Sequence, residues 1–173
     1  MKAITLLQPW ASLLVCEAKQ YETRSWATSY RGPIAIHSAK KPVEKILDDL
    51  FPRTEGVTAA EMNFVEAVRS CWEDWIDGEP FHDGFPLGAI IATAELVGCH
   101  RIVRYGGRGL SSTSPGWLET DDGIYEPTDQ ELFFGDWTPG RYAWEFANMK
   151  MLDKPIPAKG KQGLWTWEEE RSA

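Results

Sequence analysis

Lys19, Glu22 and Arg24 stand close together in the chain, with Trp10 and Trp26 on either side and Arg31, His37 and Lys40 just beyond. An ammonium, a carboxylate and a guanidinium at this spacing can hold an anion, accept a hydrogen bond from an exocyclic amine, or share acid–base work. A general base or nucleophile at Lys19 would need its ammonium form disfavoured, and Glu22 nearby has the opposite effect. The spacing therefore favours a charged Lys19 bound to Glu22 or to an anionic ligand. Arg24 can offer its planar fork to phosphate or to a base edge, or pair with Glu22 or Glu145. Trp10 and Trp26 supply faces for stacking. Gln8, Arg31, Lys40, Arg141 and Lys161 are secondary ligand-binding candidates, and Lys19 and Glu22 are the two catalytic candidates. The same residues would also make an ordinary structural ion network, a common arrangement.

These side chains need elements to position them. Pro9 suits a first helical turn, and Trp10, Leu13 and Leu14 then recur at helical spacing, so a short helix is expected to end near Ala18. Glu22 to Trp26 and Ile34 to Ser38 read as strands joined through Tyr30-Arg31-Gly32-Pro33. Strand alternation puts Glu22, Arg24 and Trp26 on one face and Thr23 and Ser25 on the other. His37 alternates away from Ile34 and Ile36, toward a cleft or toward solvent. Further along, 42–51 and 58–76 read as helices with acidic outer faces, and 87–103 as a long or bent strand. Residues 104–122, rich in glycine, serine and threonine, are expected to be a mobile surface loop, with Arg101, Arg104 and Arg108 at its start. Arg141 to Leu152 reads as a strand with Tyr142, Trp144 and Phe146 on the core face. Leu164 to Trp167 reads as a closing strand after Gly160, Gln162 and Gly163, whose glycines permit a tight turn or close approach to a ligand.

The Lys19, Glu22 and Arg24 spacing resembles the G-x-K-x-x-E-x-R signature of the ASCH domain family. QPWASLL at 8–14, ETRSW at 22–26, YRGPIAIHSAK at 30–40, GDWTPGRYAWEF at 135–146 and PIPAKGKQGLWTW at 155–167 resemble its larger bacterial and phage members. Glu17 stands where the signature has glycine, a residue that readily enters a left-handed turn. The resemblance implies an α+β fold, a PUA-like mixed β-barrel with flanking helices. It also implies a single domain over 1–173, with a helical insertion at about 42–76, and binding of RNA, other single-stranded nucleic acid or a nucleotide, a modified base included. A role in RNA metabolism follows from that resemblance. Some family members are amidohydrolases that act on acetylated cytidine with a lysine, a threonine and a glutamate. Lys19 matches that lysine, but Glu22 occupies the threonine position and Thr23 is displaced by one, which in a strand reverses the direction of the side chain. RNA cleavage is a further enzymatic alternative, with His37, Glu22 and Lys19 as the available acid–base groups. A third alternative is a protein-interaction module using the acidic helices at 42–76.

The 173-residue chain carries a net charge of −8, which by itself argues against nucleic acid. The distribution alters this conclusion. Residues 1–47 carry a net +4 and 139–165 a net +3, whereas 48–86 carry −8 and 87–138 carry −5. The segments matching the family are the basic ones, so a local basic cleft on an acidic protein is expected. With 43% hydrophobic residues the chain can bury a sizeable core, and its nine tryptophans should largely fill it, each buried indole N–H finding an acceptor. Cys16, Cys71 and Cys99 are odd in number and widely spaced, suggesting neither a disulfide framework nor a zinc cage, and no cofactor or metal is expected. The N-terminus does not read as a signal peptide and no apolar run approaches membrane-spanning length, so a cytoplasmic protein is the expectation.

Overall fold

The structure, a computed structural model, describes residues 1–41, 85–104 and 115–168. The strands are β1 (Lys2–Leu6), β2 (Tyr21–Arg24), β3 (Gly32–Ser38), β4 (Ala89–Val103), β5 (Trp117–Thr120), β6 (Gly123–Tyr125), β7 (Tyr142–Pro157) and β8 (Leu164–Thr166). Among the described residues two short helices accompany them, α1 (Trp10–Val15) and α2 (Asp129–Phe134). One curled sheet runs in the order β2-β7-β4-β3-β1-β8, with β5 added to β4 and β6 to β5. The fold is α+β and PUA-like, as the resemblance implies.

The curl has a local cause. The long strands β4 and β7 pair antiparallel with register shifts between Ile90 and Ala92, Thr93 and Glu95, and Leu96 and Gly98. Each irregularity bends the ladder and increases its twist, so the sheet wraps around a core instead of lying flat. Inside lie Ile4, Leu6, Ala11, Leu14, Ile34, Ile36, Ile91, Leu96 and Trp144. Strand β3 is covered on both faces: Ile34 and Ile36 join this core, while Ala35 packs with Ala3, Ile90, Trp165 and Trp167 on the other side. A third cluster, Ile102, Leu118, Trp137 and Ala143, supports the β4–β7 end. Three buried indoles find acceptors: Trp137 Nε1 donates to the Glu131 carbonyl at 2.5 Å, Trp144 to the Trp26 carbonyl at 3.3 Å and Trp165 to Thr5 Oγ1 at 3.1 Å.

The expected strands are present with adjusted ends. β2 stops at Arg24, two residues early, because Trp26 leaves the sheet and sets its ring edge-on to Trp144 at 4.6 Å. Helix α1 ends at Val15, short of Ala18, because Glu17 turns the chain with φ of 59°. That left-handed residue lets Lys19 N–H return to the Leu13 carbonyl at 3.0 Å. The 104–122 segment is not one loop: Trp117–Thr120 forms β5, paired to β4 and β6, and 105–114 lies outside the described residues. The helical insertion expected at 42–76 also lies outside them. Cys16 is disulfide-bonded, its partner outside the described residues, and Cys99 is free. Sequence spacing had suggested no disulfide, since it carries no information on which distant cysteines the fold brings together. Among the described residues no helix is long and apolar enough to cross a membrane.

Candidate functional site

The turn at Glu17 delivers Lys19 to the edge of the sheet, where β2 lies against β7 with Glu22 opposite Trp144 and Arg24 opposite Tyr142. Lys19 Nζ donates to Glu22 Oε2 at 2.5 Å, with the lysine side chain 2% exposed and the glutamate side chain 11%. On the other side, Arg24 Nε lies 3.1 Å from Glu22 Oε1 without hydrogen-bond geometry, and its Nη2 donates to the Thr5 carbonyl at 3.0 Å. One buried carboxylate thus sits between two cations, so removing it would leave the buried Lys19 uncompensated.

This network floors an open cleft of about 390 Å³ lined by Thr5, Leu7, Trp10, Thr23, Phe133, Phe134 and the Gly135–Asp136 corner. Leu7 and Phe133 are exposed at its rim and Trp10 is half-buried there. Helix α2 closes one wall. Its Thr128 cap accepts from Glu131 N–H at 3.2 Å, and Thr23 Oγ1 accepts from Asp136 N–H at 2.9 Å. Gly135 is needed at that corner, since a Cβ would meet Trp137 Nε1 at 2.8 Å and Thr23 at 3.0 Å. Asp136 is held below its ordinary pKa: burial pushes it up, but bonds from the Thr138 hydroxyl and N–H and the nearby Arg141 outweigh that.

A second cleft, of about 690 Å³, adjoins the first at Thr5 and Arg24. Trp26, His37, Lys40, Gly88 and the Ala158–Gly163 segment line it. His37 is 1% exposed; its Nε2 lies 3.0 Å from the Ala158 carbonyl, and burial lowers its pKa against a smaller upward push from that bond. The neutral ring with Nε2–H donating leaves Nδ1 as an acceptor.

The sequence candidates therefore divide. Trp10, Lys19, Glu22 and Arg24 meet in the first cleft; Arg24, Trp26, His37, Lys40 and Lys161 meet in the second. Arg31 lines neither, its guanidinium donating to the Thr28 and Tyr30 carbonyls of its own turn. Arg141 lines neither as well; it braces the corner by donating to the Asp136 and Thr23 carbonyls. Gln8 is buried, accepting from Ser12 N–H and donating to the Pro86 carbonyl, and so holds α1 in place. Sequence reasoning missed Glu131. Its carboxylate is 4% exposed, accepts from Gln20 N–H, and is raised in pKa chiefly by burial, with Lys19 among the groups opposing the rise. The signal available was Thr128 followed three residues later by Glu131, a helix-start pattern, but nothing in the sequence places that helix beside Lys19.

The ASCH domain family model matches residues 4–156. Activating signal cointegrator 1 of Homo sapiens is 28% identical over 97 residues, covering 56% of this chain and 14% of the human protein. The chain therefore corresponds to a small part of that relative's length. The signature residues form one buried network, the fold around them is PUA-like, and the family match spans most of the sequence: the chain belongs to the ASCH domain family.

Proposed function

We propose that this chain binds single-stranded RNA or a nucleotide, a modified base included, in the cleft beside α1, and that it acts in RNA metabolism. The observation that carries this reading is the Lys19–Glu22–Arg24 array at the floor of an aromatic-rimmed cleft. Recognition of an unpaired base needs a stacking face and a few fixed polar groups at the base edge. Trp10 offers the face, Glu22 an acceptor for an exocyclic amine, and Arg24 a donor for phosphate or a base carbonyl. Family membership supports the same reading, since ASCH domains share the PUA-like fold implicated in RNA binding.

The hydrolase alternative has weaker support, because the Thr23 hydroxyl already accepts from Asp136 N–H and Glu22 holds Lys19 as an ion pair. Fluorescence anisotropy with labelled short single-stranded RNA tests the proposal, using wild type, Glu22→Gln and Arg24→Ala of verified fold. A loss of about tenfold or more in each variant is expected, in line with hydrogen bonds to charged groups. Unchanged affinity in both would overturn the assignment. Formation of product from acylated cytidines or RNA, abolished in Glu22→Gln, would move the chain to the enzymes.

A further inference from the structure

The two adjoining clefts differ in charge. Among the described residues the first carries Lys19 and Arg24 against Glu22 and Asp136 and is balanced, whereas the second carries Arg24, Lys40, Lys159 and Lys161 and no carboxylate. Lys40, Lys159 and Lys161 are exposed at its mouth, and Trp26 lies half-buried in its wall. His37 Nδ1, fully buried, has no hydrogen-bond partner. It faces Gly160 so closely that a Cβ there would lie 2.7 Å from Nδ1 and 2.9 Å from Thr5 Oγ1. Only a glycine lets the Ala158–Gly163 segment pack this closely against His37, which fixes the wall of the cleft that carries Lys159 and Lys161. Four cations spread over about 690 Å³ exceed what a single phosphate needs.

We infer that the two clefts form one track for a single-stranded oligonucleotide, with the base in the balanced cleft, a linking phosphate at Arg24, and the following nucleotide and its phosphates in the lysine-lined cleft. This rests on the function proposed above and narrows it: the ligand is a phosphodiester strand of at least two nucleotides and not a free nucleoside or inorganic phosphate.

Calorimetric titration should compare inorganic phosphate, each of the four nucleosides, their 5′-monophosphates, and homopolymeric single strands of two, four and eight nucleotides. Wild type is expected to bind the two-nucleotide strand roughly tenfold more tightly than the nucleoside, from the added stacking and phosphate contacts. In a Lys40→Ala/Lys159→Ala/Lys161→Ala variant that ratio should fall toward one. The salt slope of log affinity for the longer strands should drop by about two, from three lost cations. Equal affinity for nucleoside, monophosphate and strand in wild type would overturn the track, as would a triple variant that keeps the full ratio. Either result would leave the first cleft's function standing if Glu22→Gln still weakens every ligand. Absence of binding by any probe would instead overturn the function on which the track rests. The substituted lysines are exposed, so unchanged circular dichroism verifies the fold of the variant.

Discussion

The two clefts sit side by side on one sheet and share Arg24, yet they are built differently. The first is made of charges that hold one another: a lysine 2% exposed, a carboxylate and a guanidinium, supported from behind by α2 and the Asp136 corner. The second is made of exposed lysines on the β3 end and the β7–β8 connection, around one neutral buried histidine. In the first, removing a residue disturbs the fold as well as the surface. In the second, the charges face water and await a counterion. A cleft whose charges are already paired discriminates by shape and hydrogen bonding, whereas one whose charges are unpaired attracts by field.

Substitutions can break this contrast, and the largest effect is expected at Glu22. Glu22→Ala would leave Lys19 buried without its partner and should cost about 3–5 kcal/mol in denaturant unfolding. Lys19→Ala should cost less, because Glu22 retains Arg24; a cost equal to that of Glu22→Ala would mean that the ion pair is not the organising contact. Gly160→Ala probes the second cleft at its one tightly packed point. Crowding His37 and Thr5 should lower stability by about 1–3 kcal/mol, measured by thermal or chemical melts. Thr128→Ala, which removes the cap of α2 without touching either cleft, should cost about 1 kcal/mol and loosen the wall that Glu131 supports.

The smallest effect separates the clefts by acid. His37 has a folded pKa below its ordinary 6.5, so its share of stability is present above that value and is lost as pH falls through the lowered one. Glu131 has a folded pKa above its ordinary 4.5, so its share is full below that value and is lost as pH rises through the raised one. The two therefore oppose each other in mildly acidic solution. Glu131→Gln should make the melting temperature rise more steeply between pH 5 and pH 7, and His37→Gln should flatten that rise. Identical pH profiles for both variants and wild type would remove the electrostatic distinction.

How far each cleft was legible in the sequence follows from the same construction. The first was visible because Lys19, Glu22 and Arg24 fall within one turn and one strand, where local periodicity fixes which side chains meet. The second draws on β2, β3 and the segment after β7; the register Lys2↔Ile34 and Lys2↔Thr166 on either side of β1 aligns β3 with β8, and β2 joins through its pairing with β7. Spacing shows none of that. The main strands were legible from alternation and β-branched content. Strand β1 and the β5–β6 pair were not, the latter because glycine and serine around it read as loop. Helix α2 was missed because its apolar residues, Leu132, Phe133 and Phe134, are consecutive and show no helical spacing. Arg141 was counted as a ligand candidate by charge alone; the fold directs that charge to backbone carbonyls at the Asp136 corner.

Glu17 carries a consequence for how such chains are recognised. Its φ of 59° occupies the left-handed corner that the glycine of the signature would take, and Lys19 still reaches Glu22. The cost of placing a side-chain-bearing residue there is roughly 1–2 kcal/mol, small against the buried contacts that depend on the turn. What the signature encodes at this position is thus a backbone shape and not a residue identity. A pattern that insists on glycine would pass over chains built on the same turn, whereas one that asks for a tight left-handed corner two residues before the lysine would find them.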